Sequence, residues 1–249
     1  MRNVDFLRQI FVDQKLYFAR VSDFNDPFDC RFTRSIDGGA VERKAYAKRV
    51  IEQNCSHLKR PQRRKEVADF LKNLSARDSE VLEALEADWV ARLEKIGICS
   101  FSKVNNEILM WSHYADSHEG ICLEFLDDPD DQFFGLAFPV VYSHDYPVIN
   151  LLRDSETQRF EKALLTKSDR WSYEREYRSI NNLMELNSKG NVPREFPKGK
   201  MTGVIFGCKA TSETVSLVRS LCEEGELDIN FYKAEMDNLS YSLNIVDYE

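Results

Sequence analysis

The hydrophobic period of the chain changes near residue 97, and this change limits the folds that the sequence can adopt. Between residues 40 and 96 the apolar side chains recur every three or four positions, which is typical of amphipathic helices. From Ile98 onward, short runs that alternate or are continuously apolar predict strands, over residues 98–102, 120–125 and 136–142. The sequence therefore predicts an α+β fold whose core is a mixed, mostly antiparallel sheet.

The same change of period predicts three stretches of chain. Residues 1–39 start the core domain, residues 40–96 form an inserted helical subdomain with Gly97 as its C-terminal cap, and residues 97–249 complete the core. In the last stretch a capping box at residues 155–158 predicts a helix, and residues 176–183 predict a strand.

Charge and composition exclude several classes of function. The 249 residues carry a formal net charge of −8, so no global positive field exists to hold duplex DNA or an anionic membrane. No apolar run approaches the roughly 18 residues of a membrane span. The six cysteines stand singly, which indicates reduced thiols, with a disulfide framework as the alternative. We therefore expect a cytoplasmic protein that does not associate with membranes or duplex DNA.

Residues 110–120 concentrate rings and polar groups. If this segment is helical, Trp111 and Tyr114 share a face and His118 follows Tyr114 by four positions, which is an arrangement that can grip a planar ring. Trp111, His113, Tyr114 and His118 are therefore candidate ligand-binding residues. The alternative is a half-buried helix whose histidines bond to nearby carbonyl groups. We expect no metal, because His113 and His118 lack the i, i+4 spacing of a helical metal pair.

Charged residues alternate at the start of the strand predicted over residues 176–183. A period of two places Glu174, Glu176 and Arg178 on one face, where Arg178 can hold one carboxylate ionised while the other accepts a hydrogen bond. A cross-strand ion ladder on a solvated face is the alternative.

An acidic loop surrounds Pro27. Its side chains can bind their own backbone as Asx-turns or coordinate a hard cation, and the pattern favours the turn. We expect Asn25 and Asp26 to border the same pocket as residues 111–120.

The motifs at residues 16–29, 110–125 and 171–178 together resemble the bacterial family catalogued as domain of unknown function 2971. Members of that family are expected to carry an aromatic-rich strand before the first helix, whereas in this sequence the helix follows Met1 almost directly.

The order of the motifs also resembles that of ADP-ribosyltransferases, which have an early strand, a Ser-containing strand and a late strand led by Glu. This resemblance implies NAD as the substrate and Glu176 as the catalytic carboxylate that bonds to the nicotinamide ribose, with Glu174 as the second candidate. It also implies that Ser100 or Ser102 holds the central Ser position and that Tyr114 or Trp111 stacks on nicotinamide. The early His or Arg of that superfamily has no match in this chain.

Two functions remain open at this point. The first is an NAD-dependent ADP-ribosyltransferase or NAD-cleaving effector, acting as a toxin or in phage defence. The second is a non-catalytic module that uses the same pocket to bind a small ligand or a partner. The enzyme hypothesis requires Glu176, Tyr114 and Ser102 to converge on one cleft, and it fails if Glu176 points to solvent.

Overall fold

The structure is a computed structural model that describes residues 4–76, 83, 87, 89–126, 137–182 and 192–249. The described residues contain helices and mostly antiparallel strands, so the fold is α+β, as the change of period predicts. The chain divides into two units. Unit 1 comprises Met1–Asp23, Ile96–Val140 and Arg170–Glu249, and unit 2 comprises Phe24–Lys95 and Val141–Asp169.

The helices and strands have the following bounds. The helices are α1 (Val4–Phe11), α2 (Ala40–Asn54), α3 (Arg60–Ala76), α4 (Ile108–Tyr114), α5 (Glu156–Leu164) and α6 (Ser212–Glu224), with 3-10 helices at Val21–Asp23 and Asp169–Glu174. The strands are β1 (Lys15–Arg20), β2 (Thr33–Ser35), β3 (Ile96–Ser102), β4 (Ile121–Phe125), β5 (Ala137–Pro139), β6 (Val141–Ser143), β7 (Val148–Asn150), β8 (Thr166–Ser168), β9 (Glu176–Asn182), β10 (Val192–Glu195), β11 (Met201–Phe206), β12 (Asn230–Met236) and β13 (Leu243–Asp247).

A five-stranded sheet in unit 1 has the order β10-β1-β3-β9-β5, and each of its pairs is antiparallel. The register of β3 on β9 places Ser100 opposite Arg178 and Ser102 opposite Glu176. Side chains on directly opposed residues of antiparallel strands share a face of the sheet. The two serines and the two charged residues therefore lie on one face.

The second sheet of unit 1 has the order β13-β12-β11-β4 and is covered on both faces. Val204 and Phe206 of β11 are buried in a cluster with residues of α1 and α6, whereas Ile205 is buried in another cluster with Trp111 of α4. This alternation is the period of two expected of a strand that is buried on both sides. The sheet thus fixes the position of α4.

Unit 2 contains the helices of the predicted insertion together with other segments. Two parallel two-stranded pairs, β2 with β7 and β6 with β8, belong to this unit. Tyr46 of α2 is buried together with Leu152, and its ring lies 6.1 Å from that of Phe70 in α3. That residues 40–96 form a separate subdomain stays a prediction, and part of that range lies outside the described residues.

Several predicted elements are confirmed and two are wrong. Helix α5 starts from the capping box of Ser155 and Gln158. Gly97 does not cap a helix, because it lies within β3 and pairs with Arg20. The strand predicted over residues 136–142 is two strands, since Pro139 ends β5 on β9 while β6 pairs with β8. Residue 136 lies outside the described residues.

A buried ion pair in unit 2 provides a test of stability. The ammonium group of Lys167 lies 3.7 Å from the carboxylate of Asp29, and both side chains are more than nine-tenths buried. We expect Lys167→Met to lower the free energy of unfolding by about 3–5 kcal/mol, because it removes the cation of a buried ion pair. The measurement is denaturant unfolding followed by circular dichroism.

The control for this test is an exposed ion pair of the same unit. Arg92 and Glu156 are 2.9 Å apart with side chains that are half exposed. Arg92→Gln is expected to change the free energy of unfolding by less than about 1 kcal/mol, since solvent screens the pair. Equal effects of the two substitutions would contradict a structural role of the buried pair.

Candidate functional site

Arg178 and Glu176 form a buried ion pair on β9. The side chain of Arg178 is fully buried and Glu176 is 5% exposed. Arg178 Nε donates to Glu176 Oε1 at 2.8 Å, and Nη2 donates to Oε2 at 3.2 Å. The two residues are separated by one position, so the period of a strand places them on one face, as predicted. Both carboxylate oxygens are thereby fixed in direction by one guanidinium group.

A serine of the neighbouring strand completes this pair. Ser100 Oγ donates to Glu176 Oε1 at 2.7 Å. Ser102 is the residue directly opposite Glu176, yet its hydroxyl donates to the carbonyl oxygen of Glu174 at 2.7 Å. The reason is that the Glu176 side chain leans toward Arg178, whose position on β9 is opposite Ser100.

Glu174 is also buried, but it precedes the strand. It ends the 3-10 helix and is 3% exposed, and Tyr114 Oη donates to its Oε1 at 2.7 Å. Strand β9 starts at Glu176 because Arg175, between the two glutamates, has a left-handed φ of 45°. Glu174, Glu176 and Arg178 are nevertheless all buried, whereas Arg175 is exposed. The solvated ion ladder, which was the alternative for these residues, is therefore not what the structure shows.

Four rings form a chain of neighbours that includes Tyr114, the residue bonded to Glu174. The ring of His113 lies 6.2 Å from that of Tyr114 and 6.1 Å from that of Trp171, and Trp171 lies 5.9 Å from Tyr173. Tyr114 is 50% exposed although its hydroxyl reaches the buried Glu174. Tyr114 therefore exposes part of its ring to solvent while its hydroxyl is bonded to a buried carboxylate.

One of these rings, Tyr173, lines a groove of about 390 Å³. The residues that line it are Val104, Asn106, Glu107, Ser172, Tyr173 and Arg175. Sequence reasoning missed all six as site residues. Only Arg175 could have been found from the sequence. It stands between the candidate residues Glu174 and Glu176, and the period of a strand would place its side chain on the opposite face from theirs.

Trp111 and Tyr114 both lie on α4, three positions apart, as predicted, but the expected helical spacing of His118 from Tyr114 is wrong. Trp111 is 3% exposed, packs in the core and donates its indole N–H to the carbonyl of Asn105 at 2.7 Å. Helix α4 ends at Tyr114, and residues 116–118 all have left-handed φ values of 49–71°. His118 therefore leaves the helical spacing and instead lies with Nε2 2.9 Å from the hydroxyl of Ser112.

The loop that carries His118 is held against the end of β11. Lys209 N donates to the carbonyl oxygen of His118 at 3.0 Å, and Gly207 N donates to Gly120 O at 2.9 Å. A Cβ atom on Gly207 would lie 2.1 Å from the His118 carbonyl oxygen, so only glycine permits this approach. The left-handed backbone of the loop is thus maintained by contacts with the residues that follow β11.

Asn25 and Asp26 belong to unit 2. Asp26 Oδ1 accepts from Phe28 N at 2.9 Å, which confirms the Asx-turn. That these two residues border a pocket with residues 111–120 stays a prediction. Among the residues that the structure describes, no group of three or more His, Cys, Asp or Glu side chains could hold a metal ion. No helix of the described part of the chain has the length and apolarity to cross a membrane.

Comparison with known proteins identifies one family. Residues 110–179 match the model of the family described as Protein of unknown function (DUF2971), which confirms the predicted resemblance for this segment. The match includes residues 110–114 of α4 and extends to Ser179 of β9, whereas the acidic loop around Pro27 lies outside it. Neither a curated protein nor a solved structure matches the chain.

The environment of His118 predicts a pH dependence. Burial lowers the pKa of its imidazole below 6.5, and the positive charge of Lys209 lowers this pKa further. The unfolded chain therefore binds the proton more readily, so stability decreases as the pH falls below about 6.5. A histidine titration by NMR should give a midpoint below 6.5 for His118.

A matched pair of variants isolates this effect. The denaturation midpoints of the wild type and of His118→Gln, compared between pH 7.5 and 5.5, should converge at the lower pH. His113→Gln, a substitution of the exposed imidazole on α4, is the control. Its denaturation midpoint should change between pH 7.5 and 5.5 by as much as that of the wild type. A His118 midpoint at or above 6.5 would contradict the prediction.

Proposed function

We propose that this chain, whose residues 110–179 match the DUF2971 family model, cleaves the bond between nicotinamide and ribose in NAD⁺. It would act inside the cell as an ADP-ribosyltransferase-like or NAD-cleaving effector. A role as a toxin or in phage defence would fit this activity. The observation that carries the proposal is the carboxylate of Glu176, which is buried and held in one direction by Arg178 and Ser100. In this function the bond between C1′ and the pyridinium nitrogen breaks, nicotinamide leaves with the electron pair, and water or an acceptor hydroxyl adds to C1′ and loses its proton.

The order of strands supports this proposal. The early strand β1, the Ser-containing strand β3 and the Glu-led strand β9 are consecutive neighbours in one sheet. This is the set of three elements whose order along the sequence resembles that of ADP-ribosyltransferases. The bond between Ser100 and Glu176 links the second element to the third.

The chemistry of the site is also suitable. Loss of nicotinamide leaves positive charge on the ribose, and a negative group that is already oriented stabilises it without reorganisation. Glu176 meets this requirement because the guanidinium of Arg178 favours its ionised form. The exposed rings of Tyr114 and His113 provide surfaces on which a planar ring could stack.

A non-catalytic ligand-binding module is the second candidate. It is favoured by one specific observation, which is that both oxygens of Glu176 are engaged by Arg178 and Ser100 in a side chain that is only 5% exposed. In that case the ion pair would serve the stability of the sheet alone, and the rings would bind a ligand without chemistry.

Incubation of the purified chain with NAD⁺, followed by mass spectrometry for free nicotinamide and ADP-ribose adducts, distinguishes the two candidates. We expect nicotinamide release by the wild type, and a decrease of about a hundredfold or more for Glu176→Gln, because a charge that stabilises the transition state is lost. Glu195→Gln on β10, which changes a carboxylate that is 76% exposed, is the control and should retain activity.

Stability must be measured in parallel, because Glu176→Gln removes the counter-ion of a buried arginine. Ser100→Ala is the second variant, since it removes one hydrogen bond and leaves the ion pair intact. We expect it to remain folded and to lower the rate of nicotinamide release by about tenfold. Full activity of both folded variants, or no nicotinamide release by the wild type, would overturn the enzymatic proposal in favour of the binding module.

A further inference from the structure

We infer that the groove lined by Ser172, Tyr173 and Arg175 binds the phosphate and ribose of a 5′-nucleotide. The inference rests on the proposed function, because it names the part of the dinucleotide that this groove would take. The groove has a volume of about 390 Å³, which is within the range of about 300–1,000 Å³ for small-molecule sites. Its lining combines a guanidinium group, a hydroxyl, an amide, a carboxylate and a phenol ring.

Arg175 supplies the positive charge of this groove. Its guanidinium group can donate two parallel hydrogen bonds to a phosphate, a geometry that lysine does not offer. The hydroxyl of Ser172 and the amide of Asn106 line the same groove and add neutral donors. The chain has a net charge of −8, so an anionic ligand would depend on such a local group.

The backbone of Arg175 is strained in a way that orients this residue. Its φ of 45° lies in the left-handed region, which is uncommon and unfavourable for a residue with a side chain. Two hydrogen bonds maintain it, from Arg175 N to Ser172 O and from Lys103 N to Arg175 O, each at 3.3 Å. Because Glu174 and Glu176 on either side are buried, the left-handed residue is exposed at the groove.

Glu107 and Tyr173 indicate what accompanies the phosphate. The Glu107 carboxylate accepts from Leu109 N at 3.3 Å, which fixes the direction of an acceptor that lines the groove. A fixed carboxylate is the group that commonly accepts from the hydroxyls of a nucleotide ribose. The ring of Tyr173, 5.9 Å from that of Trp171, offers a surface for the base. The combination fits a nucleotide better than inorganic phosphate, which has neither ribose nor base.

Isothermal titration calorimetry with four probes tests the inference on the full chain. The probes are ADP-ribose, AMP, adenosine and inorganic phosphate. We expect ADP-ribose and AMP to bind, and adenosine and inorganic phosphate to bind at least tenfold more weakly than AMP, because each lacks part of the ligand. Affinity for AMP should fall as the salt concentration rises, since a phosphate contact is screened.

Three variants assign the binding to the groove. Arg175→Gln should weaken AMP binding by about tenfold or more, because a charge-assisted hydrogen bond is lost. Arg175→Lys, which keeps the charge, should weaken it less. Lys198→Gln removes an exposed cation of the same unit, whose ammonium group is 4.0 Å from Glu226, and should leave affinity unchanged.

The outcomes separate this inference from the proposed function. If the chain binds nucleotide through Arg175 but releases no nicotinamide, the inference about the groove would be sustained and the proposed enzymatic function would be overturned. If the chain releases nicotinamide and Arg175→Gln has the same KM for NAD⁺ as the wild type, the proposed enzyme would be sustained and the inference about the groove would be overturned. Absence of AMP and ADP-ribose binding at millimolar concentration, or equal weakening by Lys198→Gln, would overturn the inference.

Discussion

The fully buried guanidinium of Arg178 is the constraint on which the centre of unit 1 depends. An ionised group out of water must be paired and hydrogen-bonded, or it destabilises the fold by several kcal/mol. Glu176 satisfies this requirement from the same strand, and Ser100 joins from the next one. The register of β3 on β9 is therefore tied to a polar network as well as to packing. A shift by one residue would turn Ser100 away from the pair.

The left-handed conformation of Arg175 separates two environments. In an uninterrupted strand, Glu174 would be a ladder residue of β9. Instead the chain turns at Arg175, so that Glu174 ends a 3-10 helix, where its carbonyl meets Ser102 and its carboxylate meets Tyr114. The buried carboxylates and the exposed cation are consequently adjacent in sequence but face different surroundings.

Sequence periodicity predicted the local features of the site and missed those that depend on register or on where an element stops. The pairing of Glu176 with Arg178 follows from the period of a strand, and it is present. The choice of Ser100 over Ser102 depends on how a side chain leans across two strands, which periodicity does not contain. The helical relation of His118 to Tyr114 is wrong because α4 ends early, where contacts with Gly207 stabilise left-handed residues that are unfavourable in isolation.

The strained peptide at Arg175 gives the groove and the carboxylates a physical connection. Its N–H bonds back to Ser172 of the groove, and its carbonyl accepts from Lys103, the residue after β3. The backbone of Arg175 is therefore bonded to residues of two other segments and continues directly into Glu176. Glu176, the next residue, has its carboxylate fixed by Arg178 and Ser100. The left-handed conformation of Arg175 is thus supported by its own backbone hydrogen bonds and by a following residue that a buried ion pair holds in place.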